Sequence, residues 1–106
     1  MINIHILRNK DGNIYSFKIE NHGKRIVCAA VSALTLNVIN SIEEFTDEDF
    51  AFEASPDGGY FMFEAENIKN NEYNSDVDLL LKSFFLGISG IKEEYKKHIS
   101  IIEEVL

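Results

Sequence analysis

The sequence predicts an α+β fold, in which two β-hairpins form one antiparallel sheet and two helices pack on one face of it (ββαββα, two layers). Apolar and polar residues alternate in two pairs of stretches, which is typical of half-buried strands. In two other stretches, apolar residues recur every three or four positions, which is typical of amphipathic helices. The length of 106 residues suits one compact domain, residues 1–106.

The first twenty residues predict a β-hairpin. Apolar side chains occupy alternate positions on both sides of its turn, at Ile2, Ile4, Ile6, Tyr15, Phe17 and Ile19. The turn contains Asp11 and Gly12, a pair that tight turns favour because glycine readily adopts a positive φ. His22 lies just beyond the end of this hairpin.

The stretch from about Lys24 to Phe45 predicts the first helix. Its apolar stripe consists of Val27, Val31, Leu34, Val38 and Phe45, with Ile42 one step off. Smaller side chains form an adjoining stripe at Cys28, Ser32 and Thr35. Backbone or a partner chain can approach a helix closely beside such a stripe.

A second hairpin and a second helix follow. Residues 55–59, Ser-Pro-Asp-Gly-Gly, form a turn between two aromatic-rich strands. Asn74 or Ser75 caps the second helix. The apolar positions of that helix are Val77, Leu81, Phe84, Ile88, Ile91 and Tyr95. For Ile99–Val105 two alternatives are open, a short final strand and a frayed tail.

The second hairpin and the second helix carry more apolar side chains than one buried face requires. Phe61 and Phe63 alternate with Tyr60 and Met62, so both faces of that strand are apolar. The apolar arc of the helix is widened by Leu79, Leu80, Phe85 and Leu86. Exposed apolar surface of this kind in a small chain is typical of a subunit interface, so we expect a homodimer.

Composition argues against several function classes. Ten basic and eighteen acidic side chains give a net charge of −8, which disfavours nucleic-acid binding and favours a basic partner. A single cysteine excludes an internal disulfide and a CxxC zinc or redox site. The acidic residues Glu43, Glu44 and Glu48 have no accompanying histidine, so we expect no metal and no other cofactor. No uninterrupted apolar run is long enough to span a bilayer, and we expect a cytoplasmic protein without membrane attachment.

Cys28 stands where the chain turns from polar loop to apolar helix, and two interpretations are open. Flanked by Ile-Val and Ala-Ala, it fits a buried small apolar residue. A cysteine in the first turn of a helix also lies at the positive end of the helix dipole, which favours a thiolate and stabilises an oxyanion. A thiolate nucleophile needs a nearby imidazole, and His22 lies in the loop that leads into this helix. By itself, a loop histidine such as His22 is more often an ordinary solvated side chain.

The string IVCAAVSAL from Ile26 to Leu34, preceded by FKIENHG from Phe17 to Gly23, resembles the ribosomal-processing cysteine proteases called Prp. The resemblance extends to the order of hairpins and helices and to the EEY near the end of the last helix. It implies that His22 and Cys28 form a catalytic dyad and that the α+β subunits form a homodimer. It also implies that the protein removes the N-terminal extension of one large-subunit ribosomal protein, the twenty-seventh.

Three features depart from the pattern of that family. The family usually has Gly-His-Ala where this chain has Asn21, His22 and Gly23, and usually an aspartate where Arg25 stands. The connector between the histidine and the cysteine is usually longer and glycine-rich, whereas here it consists of residues 23–27. A short connector restricts the movement of His22, so either the dyad is preformed or substrate brings it together.

These observations predict a cysteine endopeptidase with Cys28 as the nucleophile and His22 as the general base and then the general acid toward the leaving amine. Ser32, one helical turn beyond Cys28, is a weaker candidate for substrate contact and fits a packing role better. We expect Asn21–Lys24 to be a mobile loop. The alternative, from another class, is a catalytically silent homodimeric module that binds a segment of a ribosomal protein.

Overall fold

The computed structural model describes residues 1–106 and contains a five-stranded sheet, two long helices and one short helix. In chain order the elements are β1 (Ile2–Arg8), β2 (Ile14–Glu20), α1 (Arg25–Phe45), β3 (Ala51–Ala54), β4 (Tyr60–Glu64), α2 (Glu66–Lys69), α3 (Ser75–Glu94) and β5 (Ile99–Val105). The predicted α+β class is confirmed. Two elements extend the predicted ββαββα order, because β5 is a strand and α2 lies where the sequence indicates only a polar loop.

The strands lie across the sheet in the order β3-β4-β2-β1-β5. The two hairpins, β1 with β2 and β3 with β4, are antiparallel, and antiparallel pairing of β2 with β4 joins them. Strand β5 pairs in parallel with β1, from Ile99 opposite Ile2 to Val105 opposite Arg8. Of the two alternatives for the last residues, the structure therefore contains the strand, which forms one edge of the sheet.

The hydrophobic core lies between the two long helices and one face of the sheet. The helices contribute Val27, Val31, Val38, Ile39, Ile42, Val77, Leu81, Phe84 and Ile88, all of them buried. The ring of Phe17 from β2 stacks on Phe63 and on Phe84, with ring centroids 5.2 and 4.6 Å apart. The opposite face of the sheet carries polar side chains such as His5 and Lys18, which are at least partly exposed. The two-layer arrangement is therefore confirmed.

The two long helices begin differently. The side chain of Asn74, the N-cap of α3, accepts hydrogen bonds from the backbone N–H groups of Asp76 and Val77, which confirms the predicted cap. Lys24, the N-cap of α1, makes no side-chain capping hydrogen bond. Because the first N–H groups of a helix have no intrahelical partners, the amino end of α1 keeps donors that no side-chain cap satisfies.

Helix α1 is long and apolar enough to cross a membrane by length and composition alone. Core helices of globular proteins pass the same test, and α1 has six buried residues, five of which belong to the hydrophobic core. Its length and composition are therefore weak evidence for a membrane span.

The last residue of α1 departs from the predicted apolar stripe. Phe45 ends the helix and is 72% exposed, whereas Ile42 is buried.

Part of the apolar surplus expected from the sequence lies on the surface. Leu79 and Leu86 of α3 are 68% and 76% exposed, and their spacing of two helical turns places them on one side of the helix. Tyr60 and Met62 are half-buried on the face of β4 that points away from the helices. These apolar side chains leave α3 and β4 with surface that another chain could cover.

Candidate active site

Cys28 is the fourth residue of α1 and is half-buried at the amino end of that helix. Its Sγ accepts a hydrogen bond from the Gly23 N–H at 3.2 Å. The thiol also donates to the Gly23 carbonyl oxygen at 3.6 Å. This position is at the positive end of the helix dipole, which favours an oxyanion formed beside the sulfur.

His22 lies in the loop between β2 and α1, and its side chain is 60% exposed. Its Nε2 is 3.8 Å from Oδ2 of Asp57 in the turn between β3 and β4. The ring also lies against Gly59, where an added Cβ would be 2.6 Å from Nε2. The position of the imidazole therefore depends on glycine at position 59.

The structure places His22 and Cys28 at the same end of α1. Their side chains are not joined by a hydrogen bond, because Sγ bonds to Gly23, the neighbour of His22, while the imidazole faces the β3–β4 turn. A direct contact between Sγ and the imidazole requires a different conformation of the loop or of one of the two side chains. Catalytic hydrogen bonds are often long or unformed before substrate binds.

The loop that carries His22 is exposed, but backbone contacts hold it on two sides. Asn21 has a φ of 76°, in the left-handed region, and its N–H donates to the Gly59 carbonyl oxygen at 3.1 Å. Gly23 packs closely on Ile2, since a Cβ at Gly23 would lie 3.1 Å from Ile2 Cγ1. The mobility of Asn21–Lys24 stays a prediction.

A narrow crevice runs beside the thiol. Ser32 lies on the same wall as Cys28, one helical turn along α1, and Asn21, Gly58 and Phe61 are among the residues that line the rest of the crevice. Ser32 is half-buried, which fits both a packing role and contact with a bound peptide. Its predicted contact with substrate stays a prediction.

The contact of the β3–β4 turn with His22 is the feature of this region that the sequence did not predict. Oδ1 of Asp57 accepts hydrogen bonds from Ser55 Oγ at 2.7 Å and from the Gly59 N–H at 3.1 Å. The hydrogen bond from Ser55 above all, then that from Gly59 and the nearby His22, lower the pKa of the Asp57 carboxyl. The Asp-Gly-Gly sequence indicates a turn, and its glycines indicate a close backbone approach, but nothing local indicates that His22 makes that approach.

The acidic residues near the end of α1 do not form a metal site. Glu43 and Glu44 are exposed, and Glu48 accepts hydrogen bonds from Asn67 and Asn74. No group of three or more histidine, cysteine, aspartate or glutamate side chains is arranged to hold a metal ion. The reactive side chains that the sequence predicts at the amino end of α1 are therefore the Cys28 thiol and the His22 imidazole, with no metal-binding cluster among them.

A thiol at the uncapped start of a helix, with an imidazole in the preceding loop and an α+β scaffold behind both, fits the class of cysteine proteases. The chain belongs to the family of cysteine protease Prp, whose model matches residues 1–100. The resemblance seen in the sequence is therefore confirmed, and the protein is a cysteine protease, a hydrolase.

Two curated relatives cover nearly all of this chain. It is 26% identical over 112 residues to ribosomal processing cysteine protease Prp of Bacillus subtilis (strain 168), with 100% of both chains covered. It is 27% identical over 107 residues to the protein of the same name from Staphylococcus aureus (strain Mu50 / ATCC 700699), with 95% of this chain and 97% of the relative covered.

Two solved structures are similar over the whole fold. The crystal structure of an essential ribosomal processing protease Prp from S. aureus in complex with a covalently linked product peptide matches with a TM-score of 0.87 and 26% identity. A complex of the S. aureus protease with a substrate peptide matches with a TM-score of 0.86 and 25% identity. Both comparisons cover 98% of this chain and 100% of the other.

Proposed function

We propose that the protein is a cytoplasmic endopeptidase that removes the N-terminal extension of a large-subunit ribosomal protein, the twenty-seventh, during ribosome assembly. Its relatives are named ribosomal processing proteases, and the S. aureus protease has been crystallised with substrate and product peptides. The observation that carries the proposal is the position of Cys28 Sγ at the amino end of α1. There it accepts a hydrogen bond from Gly23, the residue that follows His22. The net charge of −8 suits a basic ribosomal-protein segment as partner.

In the proposed reaction Cys28 is the nucleophile. His22 takes the thiol proton, and the sulfur forms a bond to the carbonyl carbon of the scissile peptide. The negative charge on the carbonyl oxygen is stabilised by the positive end of α1. His22 then gives its proton to the leaving amine, and the C–N bond breaks to leave a thioester. Water, deprotonated by His22, hydrolyses that thioester and restores the thiol.

The working unit in this proposal is a homodimer. Leu79 and Leu86 expose apolar surface on one side of α3, as many subunit interfaces do before assembly. Sedimentation equilibrium at micromolar concentration is expected to give twice the chain mass. A monomer mass under those conditions would remove the dimer from the proposal without affecting the assignment of the nucleophile.

A second candidate function is a catalytically silent module that binds a ribosomal-protein segment. Two observations favour it: the imidazole of His22 faces Asp57 instead of Cys28, and only residues 23–27 separate the histidine from the cysteine. The two functions differ in the reactivity of the thiol. In a protease the thiol is expected to react quickly with iodoacetamide even below the pH range of ordinary thiols, whereas in a silent module it should react slowly.

Cleavage of a peptide that spans the N-terminal extension of the host's own ribosomal protein tests the proposal. Replacing Cys28 by alanine removes the only thiol, so cleavage is expected to disappear while stability falls by only about 1 kcal/mol. Cys28→Ser should be similarly inactive, because a hydroxyl stays protonated where a thiol ionises. Ser41→Ala, a change of similar size at a half-buried position near the other end of α1, is the matched control and should keep the activity.

Two results would contradict parts of the proposal. If Cys28→Ala still cleaves the peptide, the protein does not use this nucleophile. If the wild-type protein binds the peptide under reducing conditions without cutting it, the silent module is correct.

The role of His22 is tested separately. His22→Ala is expected to slow turnover by roughly 100-fold or more, because the leaving amine loses its proton donor. Its thiol should still react with iodoacetamide, since the end of α1 still favours the thiolate. A variant that turns substrate over at the wild-type rate would exclude His22 as the general acid.

A further inference from the structure

The carboxylate of Asp57 is 76% exposed, and hydrogen bonds within its own turn orient it next to His22. Oδ1 accepts two hydrogen bonds from within its own turn, at 2.7 Å from Ser55 Oγ and at 3.1 Å from the Gly59 N–H. Oδ2, the oxygen that the turn leaves free, is the one 3.8 Å from Nε2 of His22. Most surface carboxylates lose side-chain freedom when they form an ion pair, which is one reason such pairs contribute little. Here the two hydrogen bonds within the turn already restrict the carboxylate.

Backbone pairing fixes the turn relative to the loop that carries His22. Glu20 at the end of β2 lies opposite Tyr60 at the start of β4. The next residue, Asn21, donates its N–H to the Gly59 carbonyl oxygen at 3.1 Å. Gly59 also leaves the space that the imidazole occupies, because a Cβ there would be 2.6 Å from Nε2. The contact between Asp57 and His22 is thus set by sheet register and by a glycine as well as by charge.

We propose that Asp57 is a positioning residue, whose carboxylate turns Nε2 of His22 toward the β3–β4 turn and leaves Nδ1 free to exchange a proton with Cys28. In a neutral imidazole one ring nitrogen carries hydrogen and the other accepts a proton, so an anion beside Nε2 favours the tautomer with hydrogen on Nε2. The separation of 3.8 Å is longer than a hydrogen bond, so in this conformation the carboxylate acts through its charge.

The assignment rests on the proposed Cys28–His22 dyad. Asp57 lies 35 positions beyond His22, so the second hairpin brings this carboxylate to the loop that precedes α1. The side chains of Asp57 and His22 belong to different loops, and no other carboxylate forms an ion pair with His22.

The test is Asp57→Asn, which removes the charge and keeps the shape, with Asp11→Asn in the exposed β1–β2 turn as the matched control. Two rates are measured: cleavage of the ribosomal-protein peptide, and alkylation of Cys28 by iodoacetamide. Asp57→Asn is expected to lower kcat by about fivefold with KM unchanged, as for loss of one exposed charge pair. Alkylation should slow by a similar factor. Asp11→Asn should leave both rates and the denaturation midpoint as they are. Asp57→Asn should lower the midpoint only slightly, because the interactions of its charge are exposed to solvent.

Repeating Asp57→Asn in a His22→Ala background separates positioning from a structural effect. If Asp57 acts through the imidazole, the second substitution has no further effect on either rate. An equal fall in both backgrounds, or no fall in the wild type, would overturn the inference.

The alkylation measurement also separates this inference from the proposed function. If the wild-type protein cleaves nothing, the protease proposal fails, yet alkylation still shows whether Asp57 acts on the thiol through His22. If cleavage depends on Cys28 and His22 but not on Asp57, only the positioning role is wrong.

Discussion

The region around Phe17 and the region around His22 hold their aromatic rings in opposite ways. Phe17 is buried, and its ring stacks on two other rings from a neighbouring strand and from α3. His22 is exposed, and its ring is positioned by one glycine, one carboxylate and the backbone bond between Asn21 and Gly59. Packing fixes the first ring and the shape of two loops fixes the second. Stability and activity should therefore respond to different substitutions.

The largest expected effect is on stability, in the packed region around Phe17. Phe17→Ala should lower the free energy of unfolding by about 3–5 kcal/mol, because it removes a buried ring and leaves a cavity. Phe45→Ala removes the same ring from an exposed position and should change it by less than about 0.5 kcal/mol. Urea denaturation measures both. Similar losses in the two variants would mean that the core does not depend on this aromatic cluster.

The next largest effect is on kcat, in the loop region around His22. Gly59→Ala introduces a Cβ 2.6 Å from the present position of Nε2, so the imidazole must move. Gly59 is not among the residues with positive φ, so its backbone accepts alanine. We expect kcat to fall by about tenfold or more, since small displacements of catalytic groups have large effects.

The control for Gly59→Ala is Gly12→Ala, which changes a glycine with a φ of 85° in a turn that has no contact with His22. It should lower stability by about 1 kcal/mol through backbone strain and leave kcat unchanged. If both variants lose activity and stability together, the two regions are not separable in the way proposed.

Two glycines in α3, Gly87 and Gly90, test how closely α3 packs on α1. Gly90→Ala adds a methyl group to open space in a helix and should stabilise the protein by about 0.5–1 kcal/mol. At Gly87 the same methyl group would lie 2.8 Å from Leu34 Cδ1, so the gain in helix propensity is offset by movement of Leu34. Thermal denaturation should rank Gly90→Ala above Gly87→Ala. Equal midpoints would contradict close packing of α1 on α3 at this point.

The smallest effect is electrostatic and lies in the β3–β4 turn. The pKa of Asp57 is lowered first by the hydrogen bond from Ser55 and to a lesser extent by the charge of His22. Ser55→Ala should therefore raise the pKa of Asp57 toward its usual value, and His22→Ala should raise it less. A carboxyl with a lowered folded-state pKa stabilises the fold above its unfolded-state pKa, and that contribution is lost as the pH falls through the folded value. Titration of the carboxyl ¹³C signal measures the shift, and an unchanged midpoint in Ser55→Ala would contradict the assigned cause.

Much of the architecture followed from patterns within single segments. Alternation at Ile2–Ile6 and Tyr15–Ile19 predicted the first hairpin, and the spacing of apolar residues predicted α1 and α3. Asn74 was predicted as one of two candidate caps because capping depends on residues two and three positions away. The motif around Cys28 also indicated the family, which the comparisons confirmed.

The sequence by itself determined where the two hairpins and the two long helices lie, because hydrophobic periodicity and turn chemistry act over a few neighbouring residues. Only the tertiary structure decided that Ile99–Val105 pairs with β1 and that the turn at Asp57 lies against His22. Both depend on strand pairing between segments far apart in the chain, and the energy of such pairing comes from cross-strand contacts and burial that no local pattern encodes. The register of β2 against β4, with Glu20 opposite Tyr60, brings Gly59 and Asp57 to the imidazole.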